Sequence, residues 1–450
     1  MDAIDLTHGS PLKKILLFSL PLVGGSIFQQ LYNFIDTLIV GRLLGIDAVA
    51  AVGVYYPLNF LILGFIQGSC IGFSIPLSHS VGKQADQESR EFLTNAVWLC
   101  LIMALIFTPV MMLSAHSLLV ALNTPKSILG MALTFTTISF FGIPANILYN
   151  YSADALRAFG DSIHPLYFLM ASLVLNIILD LVFVLVFHLG IAGIAWATVI
   201  SEFVGGLLNL MLFRGSRQPI TVRRADWRWR GPRIKRMCVI GLPMGLEYSV
   251  SAIGAIIMQD AINLLGPTIV AAQSAAEKVR QLFTLPMESV GAAIATYQAQ
   301  NDGAQARQRM KAGIFSGIWI QVIYSAVAFV VINLFKTTFV TMILGHHAAS
   351  AVQSANQYIF IISFFFPVHG LLMIFRNTLQ GWGHSLYAIV SGIGELLGRS
   401  LASILAITSL GFVGICYANP VAWGFSLIYC VVMVVWVFRR GHQAATAPKL

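Results

Sequence analysis

Four side chains in the first half of this chain have the chemistry to hold a small cation. Asp36, Asn176, Asp180 and Thr198 all lie inside long apolar stretches. There an ionisable group costs about 2.5–3.5 kcal/mol on insertion scales and needs a reason. Two carboxylates, an amide oxygen and a hydroxyl form an all-oxygen set that suits a hard cation such as Na⁺. If close together, the carboxylates could instead share a proton, because neighbouring like charges oppose double ionisation. The plainer alternative is structural hydrogen bonding.

Helical depth decides whether they can meet. A first apolar segment ending near Leu43 puts Asp36 about 10 Å below that end, at a 1.5 Å rise per residue. A segment ending near His188 puts Asp180 about 12 Å in, and one starting near Gly190 puts Thr198 at the same depth. Asn176 precedes Asp180 by four residues and shares its face one turn deeper.

The elements that must position these residues are membrane spans. Of 450 residues, 57% are apolar and only 10% charged, and the mean hydropathy is +0.80. Soluble domains carry about 25% charged residues, whereas a span needs about 20 mostly apolar ones. A soluble enzyme, a disordered chain and a nucleic-acid binder are excluded. A transmembrane β-barrel is disfavoured because the apolar runs do not alternate. The expected fold is an all-α polytopic membrane protein with twelve spans, about 14–43, 48–78, 91–115, 128–152, 163–188, 190–213, 236–265, 268–298, 311–335, 350–375, 384–407 and 411–438.

Charge placement orients the spans. Nine of the 27 Lys/Arg lie in Arg214–Arg236, against one acid, Asp226, as the positive-inside rule expects of a cytoplasmic loop. Trp227 and Trp229 suit a headgroup-level interface, and binding of anionic lipid is a second reading of this stretch. With that loop inside, 21 of the 27 basic residues fall inside, and only Arg42, Lys126 and Lys336 outside. Both termini are then cytoplasmic. Cys70, Cys100, Cys238, Cys416 and Cys430 are scattered without a CxxC pair and read as small apolar residues. Met1–Asp5 is no basic leader, so the first span is expected to stay.

A repeat appears at an offset of about 221 residues. KKILLFSLPLVGG (13–25) aligns with KRMCVIGLPMGLE (235–247), and GIAGIAWAT (190–198) with GFVGICYAN (411–419). The division is an N-lobe over 1–213, a basic linker over 214–235, a C-lobe over 236–438 and a tail over 439–450. Six spans per half make the repeat parallel, which favours alternating access, with sites around a cavity between halves. Pro21 and Pro243 occupy matched places and are the expected hinges. At that offset Asp36 meets Ile257, Asn176 meets Leu397, Asp180 meets Leu401 and Thr198 meets Asn419. Sliding by a residue or two brings in Arg399 or Ser403. The C-lobe lacks the two-aspartate set.

At this point the chain resembles the multidrug and toxic compound extrusion (MATE) family. SLPLVGGSIFQQLYNFIDTLIVGRLLG (19–45), ALRAFGDSIHP (155–165), LNIILD (175–180) and LPMESVGAAIATYQAQNDGA (285–304) carry the resemblance. It implies two six-helix lobes around a V-shaped cavity, export of organic compounds driven by inward H⁺ or Na⁺, and an N-lobe cation site at Asp36, Asn176, Asp180 and Thr198. Lipid-linked saccharide flippases of the same superfamily are the alternative; they should line the cavity with several basic residues, and few lie within these spans.

The remaining acids read less sharply. Glu202 follows Thr198 by four residues and could extend the site. Glu247 follows Pro243 by four, nearer than the glutamate of sodium-coupled relatives, and is a secondary candidate only. Glu395 and Arg399, at i and i+4, should pair. Glu277, Lys278 and Arg280 should neutralise one another, Glu288 should hydrogen-bond around Pro286, and Asp260 should be wet. Tyr32, Tyr149 and Met258 are the expected substrate contacts in an apolar, aromatic cavity. No HExxH, GxSxG or GxxxxGK[ST] occurs, so neither an enzyme nor an ATP-driven pump is indicated. No cofactor beyond the coupling ion is expected. The partners are small organic molecules and the bilayer, with no nucleic acid, for a monomer of the inner membrane.

Overall fold

The structure is a computed structural model that describes residues 4–213, 220–345 and 349–440. Arg214, Arg217 and Gln218 of the basic loop, His346 and His347, and the tail from Gly441 including Lys449 lie outside the described residues.

Fourteen α-helices follow one another, and no strand occurs among the described residues: α1 (Pro11–Leu43), α2 (Ile46–Gly82), α3 (Asp86–Ala121), α4 (Lys126–Phe141), α5 (Ile143–Ala158), α6 (Ile163–Leu181), α7 (Ile191–Leu212), α8 (Gly231–Leu264), α9 (Pro267–Gly303), α10 (Arg307–Leu344), α11 (Ala349–Phe364), α12 (Phe366–Gly381), α13 (Ser385–Leu405) and α14 (Phe412–Arg440). Two pairs are bent halves of one span, α4 with α5 at 45° and α11 with α12 at 48°. Each second half has a proline in its first turn, Pro144 and Pro367. The missing N–H and the ring's clash with the preceding turn account for both bends.

Among the described residues, nine helices are long and apolar enough to cross a membrane, or eleven if each bent pair is one span. The remaining expected span is α9, whose Glu277, Lys278, Arg280 and Glu288 make it too polar to qualify by composition. All twelve sequence-read spans therefore coincide with a helix or a bent pair.

The repeat is written in the backbone as well. Left-handed φ values recur at Gly45 and Gly266 (89° and 95°), Gln84 and Gln305 (57° and 55°), and Gly190 and Gly411 (58° and 55°). Both α6 and α13 run into a five-residue π-helical turn, Val182–Val186 and Ala406–Leu410.

By contacts the chain forms two units. One comprises Met1–Asp5 and Gly24–Gly245, the other Leu6–Val23 and Leu246–Leu450. Two of the changes of unit thus fall inside α1 and α8, each two residues beyond Pro21 or Pro243. Within the first unit a large core joins α2, α3, α4, α5 and α7, with Tyr55 edge-on to Phe135 at 5.3 Å. Lipid offers no hydrophobic drive between helices, so close packing of small residues carries their association. Gly72 of α2 shows it, since a Cβ there would stand 2.4 Å from Gly241 Cα of α8.

One basic residue is corrected. Arg376 follows directly on the tenth expected span, which ends at 375, and so reads from sequence as a cytoplasmic loop charge, but α12 continues to Gly381 and buries it. Lys336 likewise stands inside α10 and lies 5.0 Å above the Phe360 ring.

Candidate functional site

The first unit brings the four expected residues together on α1, α6 and α7, and two of them, Asn176 and Thr198, line a small cleft. Asn176 and Asp180 are buried on one face of α6, at 2% and 0% exposure. Asn176 Nδ2 donates to Thr198 Oγ1 of α7 at 3.4 Å. Thr198 spends its own proton on the Ile194 carbonyl at 3.1 Å, so its oxygen is left to accept. Tyr32 of α1 approaches that oxygen at 3.5 Å, the outer limit of a hydrogen bond. One turn along α1, the carboxyl group of Asp36 comes within hydrogen-bonding reach of that of Asp180.

The donors then run out. Both Asp180 oxygens, Asp36 Oδ1 and Asn176 Oδ1 are buried with no hydrogen-bond partner among the described residues. Buried acceptors left unpaired cost about 1–3 kcal/mol each, and more when charged. Two facing carboxylates offer only acceptors when ionised, so a proton between them or a cation among the four oxygens is what would satisfy them. No group of three or more His, Cys, Asp or Glu able to hold a metal occurs among the described residues. The donor set suits a hard cation coordinated partly by amide and hydroxyl oxygens.

The cleft next to these side chains has a volume of about 40 Å³, and Gln29, Tyr32, Tyr149, Asn176, Thr198 and Glu202 are among its lining. That admits a few water molecules or an ion. It is far below the roughly 300–1,000 Å³ of pockets for drug-sized ligands. Glu202 joins this wall and accepts from Asn146 Nδ2 at 3.1 Å; Asn146 in turn accepts from Asn150 at 3.0 Å. The two asparagines belong to α5 and were not singled out from sequence, where nothing distinguishes them from other polar residues near a helix centre.

The second unit treats its acids differently. Arg376 bridges Glu247 at 2.7 Å and Glu395. Glu395 also pairs with Arg399 at 3.2 Å, as the i,i+4 spacing predicts, while Gln380 donates to Glu247 at 2.8 Å. Glu277 is held by Arg280 at 2.5 Å and by Tyr358, but Lys278 is exposed and takes no part. Glu288 makes no bond around Pro286; half of its side chain is exposed and one oxygen stands 3.8 Å from His369 Nε2. Asp260 is exposed. Tyr32 and Tyr149 line the small cleft beside Asn176 and Thr198. Met258 packs into an apolar cluster with Ala261, Ile262 and Ile415.

Comparison with known proteins places the fold in a family. A model of the MatE family matches residues 21–182 and again 243–404, two copies opening on the two prolines. The chain is 29% identical over 391 residues to the probable multidrug resistance protein YpnP of Bacillus subtilis, covering 87% of each. It is 26% identical over 437 residues to the probable multidrug resistance protein YoeA of the same organism, covering 94% of each. Among solved structures, an outward-facing multidrug resistance MATE family transporter superposes with a TM-score of 0.90 at 20% identity, covering 100% of this chain and 99% of that one. MATE in the bent conformation gives 0.88 at 21% identity, covering 98% and 97%.

Proposed function

The chain belongs to the MatE family of membrane transporters, and from that premise we propose that it is a secondary antiporter exporting organic, often cationic and amphipathic, compounds. It is a transporter and not an enzyme. Inward flow of a cation drives the export, with H⁺ preferred over Na⁺. The observation that carries this reading is the set of four buried, unpartnered oxygens on Asp36, Asn176 and Asp180. The names of the relatives YpnP and YoeA support drugs as substrates.

The cycle follows from charge. Facing a high proton concentration, the Asp36–Asp180 pair takes up one proton, which removes the repulsion between the carboxylates and relaxes the α1–α6 contact. Facing a lower concentration it releases that proton. A drug occupies the transporter in the alternate half of the cycle, so the ion gradient is spent only when compound moves out. Glu247, Glu277 and Glu395 of the second unit take no part in ion binding, because Arg376, Arg399 and Arg280 already neutralise them. The same pairing occupies Arg376 and Arg399 of the second unit with glutamates, which disfavours a flippase. We further propose a monomer in the inner membrane with both termini cytoplasmic, from the basic asymmetry.

Efflux from proteoliposomes under an imposed pH gradient, then under an imposed sodium gradient, tests the reading. Export driven by the pH gradient alone is expected. Export that persists after the pH gradient collapses but stops without sodium assigns the same oxygens to Na⁺.

A further inference from the structure

A second cavity, far larger than the cation cleft, lies wholly within the first unit between α3, α5 and α7. It measures about 760 Å³ and is walled by apolar side chains, among them Leu93, Leu101, Ala104, Leu207, Met211 and Trp227. From Leu93 to Ala104 it follows α3 for eleven residues, or about 16 Å. That is about half of a 30 Å hydrocarbon core, the depth of a single leaflet. Leu101, Met211 and Trp227 are 47%, 62% and 44% exposed, so the cleft opens sideways where a membrane helix meets acyl chains.

The mouth is built. Residues 224–227 form a single 3₁₀ turn that α3 pins in place. Thr94 donates to the Asp226 carbonyl at 2.6 Å, Trp98 Nε1 to the Trp227 carbonyl at 3.0 Å, and Asn95 accepts from the Arg230 N–H at 2.8 Å. Arg90 holds the Asp226 carboxylate at 3.2 Å, and Trp98 and Trp227 meet edge to face at 6.5 Å. Around this fixed turn Arg223, Arg224 and Arg228 are exposed. Arg230 and Arg233, by contrast, are taken up by Glu91 and Glu88.

We propose that this cleft seats an anionic glycerophospholipid of the leaflet on the basic face. One acyl chain lies along α3, α5 and α7, and the headgroup phosphate is drawn to Arg223, Arg224 and Arg228. The apolar wall matches the chain in length, the open flank gives lateral entry, and the fixed tryptophan sits at the level where such rings settle. The charge selects the headgroup, each arginine near an anionic surface being worth about fivefold in affinity. A free phosphorylated solute would have no use for the apolar wall. The proposal is independent of what is transported.

The test is native mass spectrometry of the full chain in detergent, with added phosphatidylglycerol, phosphatidylcholine or glycerol 3-phosphate. Phosphatidylglycerol should be retained at least about tenfold better than phosphatidylcholine, and glycerol 3-phosphate should not displace it. In the R223Q/R224Q/R228Q variant that preference should vanish while phosphatidylcholine binding is unchanged. Ala104→Phe, which narrows the apolar wall, should weaken both lipids alike; if it unfolds, the arginine variant alone decides. Equal retention of the two lipids by the wild-type chain, displacement by glycerol 3-phosphate, or a glutamine variant that keeps its preference would overturn the site. Displacement of phosphatidylglycerol by an exported organic cation would do the same, by making the cleft a route for substrate.

Discussion

Arg399 donates from Nε to Asn419 Oδ1 at 3.0 Å, in the place where Asn176 of the first repeat donates to Thr198 at 3.4 Å. Asn419 is the counterpart of Thr198 at the repeat offset, as Gly414 is of Gly193, while the residues against which a Cβ on these glycines would press, Phe183 and Ala406, shift the preceding helix by two further residues. Counting back from that packing, Asn176 corresponds to Arg399 and Asp180 to Ser403. Where the first repeat leaves buried oxygens wanting a cation, the second carries a guanidinium on its own helix.

The carboxylate pair should behave as one group. Asp36→Asn and Asp180→Asn each keep shape and hydrogen bonding but remove the titratable charge. Either alone should reduce gradient-driven efflux in proteoliposomes to the level of empty vesicles, with normal membrane insertion. The double variant should add little, as residues acting as a unit are non-additive. Drug resistance at wild-type level in cells expressing either single variant would remove the pair from the mechanism.

Arg376 should matter for stability more than any other cation in the second unit. It is 8% exposed and lies between two buried glutamates. Arg376→Met leaves Glu247 without a counter-ion and Glu395 with Arg399 alone, and breaking a buried ion pair by removing one partner costs about 3–5 kcal/mol. Unfolding of the purified chain in detergent should shift accordingly, and Glu247→Gln with Glu395→Gln added to Arg376→Met should recover most of the loss. If the single variant unfolds like the wild type, the network is decorative.

The α2–α8 contact should reject even one methyl group. Gly72→Ala directs its Cβ at Gly241 Cα, and Gly241→Ala directs its own at the Phe73 ring, each 2.4 Å away. Overpacking of this kind costs about 1–3 kcal/mol. Both variants should unfold earlier than Gly53→Ala, a control on α2 whose Cβ would meet nothing within 4 Å. Equal stability of all three would mean that the helices part freely.

Orientation can be read with reporters. Fusions after Leu450 or at Gln218 should report the cytoplasm, and an insertion at His346 the outside. An external signal from Gln218 would invert the depth argument for Asp36 and Asp180 and with it the direction of the coupling gradient.

The spans were legible because each is a continuous apolar run closed by glycine, proline or charge, and the cation cleft was legible because depth along a helix is arithmetic. Asp36, Asn176, Asp180 and Thr198 needed only a 1.5 Å rise to be brought level. The Glu247–Arg376 pair could not be read that way, since 129 residues separate partners whose contact exists only through packing. The apolar run stopped one residue short of Arg376, so a buried cation was mistaken for a loop charge. Helical depth could not place Met258 in its apolar cluster either, because depth does not say which way a helix face turns.

The polarity of α9 bears on how the protein enters the membrane at all. With Glu277, Lys278, Arg280 and Glu288 inside one helix, each charge near the centre adds about 2.5–3.5 kcal/mol to insertion. A segment of this kind would be released into water if presented alone. Its glutamate at 277 is satisfied by Arg280 on the same helix, but also by Tyr358 of α11 and Asn419 of α14, which are synthesised later. Insertion assays on truncated chains should therefore find α9 outside the bilayer until the following helices emerge. On that outcome the second half of this protein would assemble backwards, with a late helix retaining an early one.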